Sequence, residues 1–281
     1  MTIRNPAEWG FDHIRLSASA IAHSADAVSY DEHVPMVRRI EVSDLGDILS
    51  RGLRDFATAR SDVLFIGLIY PIVGLILGRM ALGNEMLHLI FPLVAGFVLL
   101  GPFLAAGLYE MSRKLEMGQE ISWGDAFTVF TSDRFGCMLK LGVVLALLFA
   151  AWMISAVVIF YLTLGPKAPL SLTGFLNDVF TTPAGWAMTI IGMTVGLVFA
   201  LVAWAISLIS FPMLLDRHVR VSTAVQTSLR VIRRNPVPML VWGFIVAVSL
   251  AIAAIPLLLG FIVVVPVLGH ATWHLYRATV D

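Results

Sequence analysis

Long apolar blocks alternate with shorter polar stretches along most of the chain. The blocks are Val63–Met80, Met86–Tyr109, Met138–Leu164, Trp186–Leu215 and Val237–Tyr276. Each approaches or exceeds the roughly 20 residues that a helix needs to cross the hydrocarbon core of a bilayer, and the last is long enough for two passes. Blocks of this length without strand-like alternation are typical of helices, so the pattern predicts six transmembrane helices.

Amphipathic stretches precede the first, third and fifth of these predicted helices, and each begins near a serine: Ser43, Ser122 or Ser222. In the first stretch, apolar residues between Leu45 and Phe56 follow the spacing of one helical face, and the serine is the natural N-cap. A helix of this kind beside a span typically lies in the membrane interface. We therefore predict an all-α, polytopic membrane bundle of three hairpins, each preceded by a cytoplasmic interfacial helix.

Composition supports a membrane protein and sets the domain boundaries. Of the 281 residues, 58% are apolar and 14% are charged, and the mean hydropathy is +0.87, which does not fit a water-solvated surface. Residues 1–40 contain too few large apolar side chains to offset the entropy of ordering. We expect a disordered cytoplasmic tail at 1–40 and a single six-helix transmembrane domain at 41–281. Cys137 is the only cysteine, so no disulfide forms within one chain.

The distribution of positive charge predicts the orientation in the membrane. All of the 19 Lys and Arg residues except Arg79 and Lys167 fall on one side of the predicted spans. The excess of Lys and Arg marks the cytoplasmic side, so both termini are expected there. On the other side, the spacing of apolar residues in Ser171–Phe180 predicts a short amphipathic helix on the outer membrane surface.

Five arginines crowd one predicted cytoplasmic loop. Basic clusters at this face attract anionic lipid headgroups, so we predict that anionic phospholipids of the bilayer are partners. Another membrane protein or a second copy of the chain is a further possible partner, and nothing in the sequence indicates nucleic-acid binding. The predicted headgroup ligands are Arg217, Arg220, Arg230, Arg233 and Arg234.

Four ionisable residues share an offset from a repeated Pro-x-Leu marker, which begins at Pro102, Pro212 and Pro266. Four and eight residues after a common landmark are about one and two helical turns, so such side chains lie on nearly the same face. The residues are Glu110, Asp216, His270 and His274. They predict a polar cluster at the cytoplasmic mouth of the bundle. The alternative is that these helix-end groups simply reach towards water.

His270 and His274 are spaced by four residues and share one helical face, which is the spacing of two metal ligands on a helix. They are weak candidate metal ligands, because no HExxH motif surrounds them and any carboxylate must come from another segment. The alternatives are hydrogen bonds to Glu110 or Asp216, or contact with headgroups. We expect no cofactor.

Several segments resemble one bacterial family. They are GLRDF at Gly52–Phe56, the long segment Phe91–Phe127, RRNPVPM from Arg233 and GHATWHLYR from Gly269. Over roughly residues 40–278 the chain resembles the predicted integral membrane proteins of domain-of-unknown-function family two-one-eight-nine. The resemblance implies a multi-pass protein of the bacterial inner membrane, and it implies no activity, substrate or catalytic residue.

Three hypotheses of function follow. The first is a non-enzymatic scaffold or accessory protein that contacts other membrane proteins or anionic lipid, as small-residue stripes and interfacial helices favour. The alternative is a transporter or channel whose path ends at Glu110, Asp216, His270 and His274. A metal-dependent membrane enzyme is the third hypothesis, and we expect no enzymatic activity.

Overall fold

The computed structural model describes residues 35–59, 68, 71–76, 79, 87–165 and 171–281. These residues form an all-helical protein, with one isolated β-bridge as the only strand-like pairing among them. The helices are α1 (Asp44–Thr58), α2 (Ile90–Leu99), α3 (Gly101–Leu104), α4 (Ala106–Glu116), α5 (Phe135–Thr163), α6 (Leu172–Thr181), α7 (Pro183–Ser207), α8 (Ser210–Asp216), α9 (Val221–Arg234), α10 (Pro236–Ala254) and α11 (Phe261–Thr279), with 3₁₀ segments at Leu87–Leu89 and Trp123–Thr131.

Three helical stretches in the described part of the chain are long and apolar enough to cross a membrane. They are α5, the stretch Pro183–Asp216 formed by α7 and α8, and α10. Large apolar side chains along them are exposed, among them Leu162 at 80% and Phe244 at 69%. Apolar exposure on this scale is typical of surfaces that contact lipid. These stretches agree with the predicted third and fourth spans and with the first half of the last block.

The second predicted block, Met86–Tyr109, is divided rather than continuous. The short helices α2, α3 and α4 follow one another, with breaks at Leu100 and Ala105. Pro102 lies in the first turn of α3. Proline lacks an N–H and its ring clashes with the carbonyl of the preceding turn, so it ends the helix before it. Much of the first predicted block, Val63–Met80, lies outside the described residues.

The buried core lies at one end of the helices, which we call the polar end because it also holds most of the ion pairs. It is formed by α1, α4, α8, α9 and the last turns of α11. The residues of α8 from Ser210 to Leu215 are all buried, and Trp273 and Tyr276 of α11 are at most 1% exposed. By contrast, α5 and α10 leave most of their apolar surface exposed. The protein is therefore tightly packed at the polar end.

The two ends of the described chain pair with each other at the polar end. Val37 and Val280 form an antiparallel bridge, and the Arg38 amide donates to the Thr279 carbonyl at 2.8 Å. The buried Asn235 accepts from the Ile40 amide at 2.9 Å and donates to the Arg38 carbonyl at 3.0 Å. Val37, Arg38 and Ile40, which fall within the tail predicted at 1–40, take part in these contacts. The tail as far as residue 34 lies outside the described residues.

The opposite end of the helices, which we call the far end, holds the turn between α10 and α11. Gly74, in a helical segment, lies against Leu258 of that turn. The His88 ring stacks on Phe160 near the end of α5, with 4.0 Å between ring centroids. The chain between α1 and α4 therefore reaches the far end.

The predicted amphipathic segments are helical in the structure, but Ser43 does not cap its helix as predicted. Ser122 begins the Trp123–Thr131 segment, where the Asp125 carboxylate accepts from the Ser122 amide at 2.6 Å. Ser43 makes no capping bond to α1, so the predicted N-cap is wrong. Its backbone is already helical, and the Asp44 carboxylate accepts from the Glu41 amide instead. The predicted helix at Ser171–Phe180 is confirmed as α6, which the Ser171 hydroxyl caps at Gly174.

Candidate functional site

A polar network joins α1, α4 and α11 through Asp55. The Ser112 hydroxyl donates to Asp55 Oδ2 at 2.7 Å, and His274 Nε2 lies 2.8 Å from the same oxygen. The side chains of Asp55 and His274 are only 16% and 13% exposed. Burial opposes ionisation of Asp55, but the hydrogen bonds from His274 and Ser112 outweigh it and hold the pKa of this carboxyl below its usual value. An ionised Asp55 thus fastens the amphipathic helix α1 to the bundle.

His270 extends this network into the core. Its ring is fully buried, and Nδ1 lies 2.8 Å from the Ser112 oxygen. Because the single hydroxyl hydrogen of Ser112 goes to Asp55, the hydrogen bond to His270 requires a protonated Nδ1 as donor. His270 Nε2 has no hydrogen-bond partner among the described residues. The order of donation therefore runs from His270 through Ser112 to Asp55.

The two acids of the predicted cluster have other partners. Arg113 donates to both oxygens of Glu110, at 2.7 and 2.8 Å. Asp216 accepts from the Tyr276 hydroxyl at 2.6 Å and lies 3.6 Å from the Arg277 guanidinium. Both acids are thus neutralised within the polar end.

The four predicted cluster residues all lie at the polar end, but in three separate hydrogen-bonded groups: the two histidines together, Glu110, and Asp216. His270 and His274 bond to Ser112 and Asp55, and the described residues include no hydrogen bond from either histidine to Glu110 or Asp216. The expected carboxylate partner of the histidines is therefore replaced by Asp55. Asp55 is 219 residues from His274 in sequence, so helical spacing within one segment carries no signal for this pair.

Glu116 provides a further link between α4 and α11, which the sequence pattern does not predict. The Trp273 indole N–H donates to one oxygen of Glu116 at 3.0 Å, and Arg277 donates to the other at 3.0 Å. Together with Asp55, Glu116 makes α11 the helix on which the polar end is assembled. The described residues contain no group of three or more His, Cys, Asp or Glu side chains arranged to hold a metal ion.

The predicted headgroup arginines differ in their surroundings. Arg217 donates to the Tyr276 hydroxyl at 3.0 Å and so belongs to the internal network. On α9, Arg233 and Arg234 are exposed and Arg230 is partly exposed, and none forms an ion pair within the described chain. The opposite face of α9 is buried through Ala224, Thr227, Ser228 and Val231. This helix presents an unpaired positive face beside the candidate spans.

An apolar cavity of about 480 Å³ lies between α7, α10, α11 and the start of α4. Leu201, Leu240 and Phe244 are exposed at its rim, whereas Trp242 and Leu208 are buried at its base. The cavity opens on the same apolar surface that the candidate spans expose. The described residues that line it include no charged side chain.

The comparisons with known proteins bear on the middle of the chain. No curated protein and no solved structure matches the chain. The family model described as "Predicted integral membrane protein (DUF2189)" matches residues 90–216, and it includes the segment Phe91–Phe127 that carries most of the resemblance. The motifs at Gly52–Phe56 and from Gly269 lie outside the matched range. With three apolar helices of membrane-spanning length and this family match, the chain is an integral membrane protein that resembles this family over residues 90–216.

Proposed function

We propose that the chain is a non-enzymatic scaffold or accessory protein of the bacterial inner membrane, with an anionic-lipid contact on α9. The observation that carries the proposal is the unpaired arginine face of α9, Arg230, Arg233 and Arg234, at the end of the bundle where both described chain ends meet. Each basic residue near an anionic membrane surface adds about 1 kcal/mol of attraction. An amphipathic helix with a buried apolar face and exposed arginines is suited to this contact.

The path of the chain supports six crossings with both termini on the cytoplasmic side. Helices α1 and α4 both lie at the polar end, whereas Gly74 and His88 between them contact the far end. Two crossings, the second built from α2 and α3, account for that excursion. Helices α5, α7, α10 and α11 then connect the two ends four more times. The pairing of Val37 with Val280 supports an even number of crossings, because it brings the two ends of the described chain together.

The pairing of charges favours a scaffold over the alternative, a transporter or channel with a polar mouth at Glu110, Asp216, His270 and His274. Glu110 and Asp216 are paired with Arg113 and Tyr276, and His274 is paired with Asp55. The contacts of Asp216 and His274 join different helices, the Glu110–Arg113 pair lies within α4, and in all three the charged group is paired rather than free to meet a solute. The cavity described above is apolar, which does not suit a path for ions.

Native mass spectrometry of the purified protein with added phosphatidylglycerol or phosphatidylcholine of identical acyl chains tests the lipid contact. The wild type should prefer phosphatidylglycerol. Replacing Arg230, Arg233 and Arg234 by Gln should lower that preference by roughly 100-fold, given about 1 kcal/mol per arginine. The matched variant with Lys at all three positions keeps the charge and should retain it. An unchanged preference in the Gln variant would remove the proposal.

The scaffold and transporter alternatives separate in two further measurements. A membrane-protein partner or a second copy that remains bound in mild detergent supports the scaffold. Solute flux in proteoliposomes that is lost in Glu110→Gln and His270→Ala supports the transporter instead.

A further inference from the structure

We infer that the turn between α10 and α11, residues 255–260, lies within the hydrocarbon of the outer leaflet and does not emerge into the water beyond it. The last hairpin then reaches into the membrane from the polar end and returns, and the acyl chains of the outer leaflet contact its tip. The inference rests on the proposed orientation, with the polar end in the cytoplasm, and it leaves both termini on that side.

The helices of this hairpin are much shorter than α5. Helices α10 and α11 have 19 residues each, about 28 Å, whereas α5 has 29 residues, about 43 Å. Both α5 and α11 are tied to α8 at the polar end. Arg134, just before α5, donates to the Leu215 carbonyl, and Asp216 accepts from the Tyr276 hydroxyl of α11. The turn at the other end of α11 therefore stops short of the outer end of α5.

Only the first half of α11 is apolar. Residues 261–269 carry no polar side chain, but from His270 onwards the helix belongs to the polar network and to the buried core of the polar end. The apolar half is about 13 Å long, less than half of the roughly 30 Å of hydrocarbon. Helix α11 is accordingly not among the described stretches that are long and apolar enough to cross a membrane. With its polar half held at the inner surface, its first residue lies inside the bilayer.

The composition of the turn matches this depth. From residue 250 to residue 269 the sequence holds only Ala, Ile, Leu, Val, Phe, Pro and Gly, whereas the connection between α5 and α7 contains Lys167 and Asp178. Ile255 and Leu257 in the turn are 78% and 74% exposed, and Ile252 on the adjoining turn of α10 is also exposed. The tip thus continues the exposed apolar surface of α10, the surface that contacts lipid.

The backbone of the turn is suited to a place without water, because irregular backbone at membrane depth must find its hydrogen bonds within the protein. Pro256 has no N–H, and the amides of Leu257, Leu258 and Leu259 donate to carbonyls at most four residues earlier, at 2.9 to 3.2 Å. Carbonyl oxygens of the turn accept from amides of the turn and of the start of α11, at Ile255, Pro256, Leu258, Leu259 and Gly260. The turn therefore needs few hydrogen bonds from solvent.

The leucines of the turn remain apolar at a cost in backbone strain. Leu257 and Leu258 have φ angles of 51° and 67°, in the left-handed region that glycine and asparagine adopt more readily. Leu258 lies against Gly74, so closely that a side chain on Gly74 would overlap it. Leu257 and Leu259 are exposed instead. The packing of the turn therefore covers Leu258 and leaves these two side chains to lipid.

Labelling of single cysteines tests whether the turn reaches water. In a Cys137→Ala background, Leu257→Cys should react with a membrane-impermeant maleimide only after denaturation in SDS. Thr173→Cys is the control, because Thr173 lies exposed on α6 and should react in intact spheroplasts. Reaction of Leu257→Cys in intact spheroplasts, with Thr173→Cys also reacting, overturns the embedded turn and leaves the orientation standing. A Thr173→Cys that reacts only after permeabilisation overturns the orientation and, with it, the assignment to the outer leaflet.

Electron paramagnetic resonance of the same variants identifies what covers the turn. A nitroxide at position 257, in vesicles of phosphatidylcholine and phosphatidylglycerol, should be several-fold more accessible to oxygen than to a water-soluble nickel chelate, and one at position 173 should show the reverse. Low accessibility to both reagents means that protein, such as a second copy of the chain, covers the turn and overturns the contact with lipid. Greater accessibility to the nickel chelate overturns the embedded position. Leu259→Cys repeats both measurements at a second exposed position, and an unchanged Tm confirms that each variant is folded.

Discussion

Asp55 carries the polar contacts between α1 and α11, because its Oδ2 atom meets both Ser112 and His274. Asp55→Asn removes the charge and leaves the two partners with a weaker acceptor. We expect a loss of about 1–3 kcal/mol in the free energy of unfolding, seen as a lower Tm in detergent. Asp47→Asn is the control, since Asp47 lies exposed on the same helix. Equal Tm values for the two variants would contradict this role of Asp55.

The same residue predicts a pH dependence of stability. Burial raises the pKa of Asp55, but hydrogen bonds from His274 and Ser112 lower it more, so the folded protein keeps this carboxyl ionised to a pH below its usual pKa of 3.8. Its contribution is therefore present above pH 3.8 and is lost as the pH falls through the lowered pKa of the folded state. The Tm difference between wild type and Asp55→Asn should shrink below pH 3.8. A Tm difference that grows below pH 3.8 would contradict this pH dependence.

At the residue scale, the sequence predicts which groups are ionisable and near helix ends, but it does not predict their partners. Helical spacing places His270 and His274 on one face, and both do lie in the polar network. The choice of Asp55 over Glu110 or Asp216 depends on how α1 packs against α11. That contact joins the two ends of the chain, where spacing along a single segment gives no information.

The contact between α1 and α11 depends on a glycine at the element scale. A Cβ atom on Gly52 would lie 2.6 Å from the backbone nitrogen of Ala271, whereas one on Gly46 would meet nothing within 4 Å. Gly52→Ala should therefore separate the helices and lower the Tm. Gly46→Ala on the same helix should raise stability by about 0.5–1 kcal/mol, because alanine is the better helix former. Effects of the same sign on thermal unfolding would contradict this packing.

The predicted element boundaries are correct where hydrogen bonds between near neighbours in the sequence determine them. Ser171 and Ser122 begin their segments as expected, because each participates in a local hydrogen bond within three residues. Ser43 fails as a cap, since the turn before it is already closed through Asp44. The second apolar block, predicted as one span, is divided at Pro102. Hydropathy detects apolar length and does not register such breaks.

At the scale of the whole molecule, the packed polar end and the exposed apolar helices have different roles. The polar end is fixed by buried side chains, by three linked helices and by the bridge between Val37 and Val280. The candidate spans α5 and α10 leave most of their apolar surface exposed, as lipid-facing helices do. We therefore assign stability to the polar end and propose lipid contact for the spans and α9.

The topology follows from this division. Thr173 on α6 and Gln226 on α9 are separated by the single stretch Pro183–Asp216, and both residues are exposed. If that stretch crosses the membrane once, the two positions lie on opposite sides. The excess of Lys and Arg around Gln226 predicts that this position is cytoplasmic.

Labelling of single cysteines with a membrane-impermeant maleimide measures this directly. In a Cys137→Ala background, Thr173→Cys should react in intact spheroplasts, whereas Gln226→Cys and Asp281→Cys should react only after the membrane is permeabilised. Labelling of Gln226→Cys in intact spheroplasts, or labelling of Thr173→Cys only after permeabilisation, would contradict the six-span bundle with its polar end in the cytoplasm.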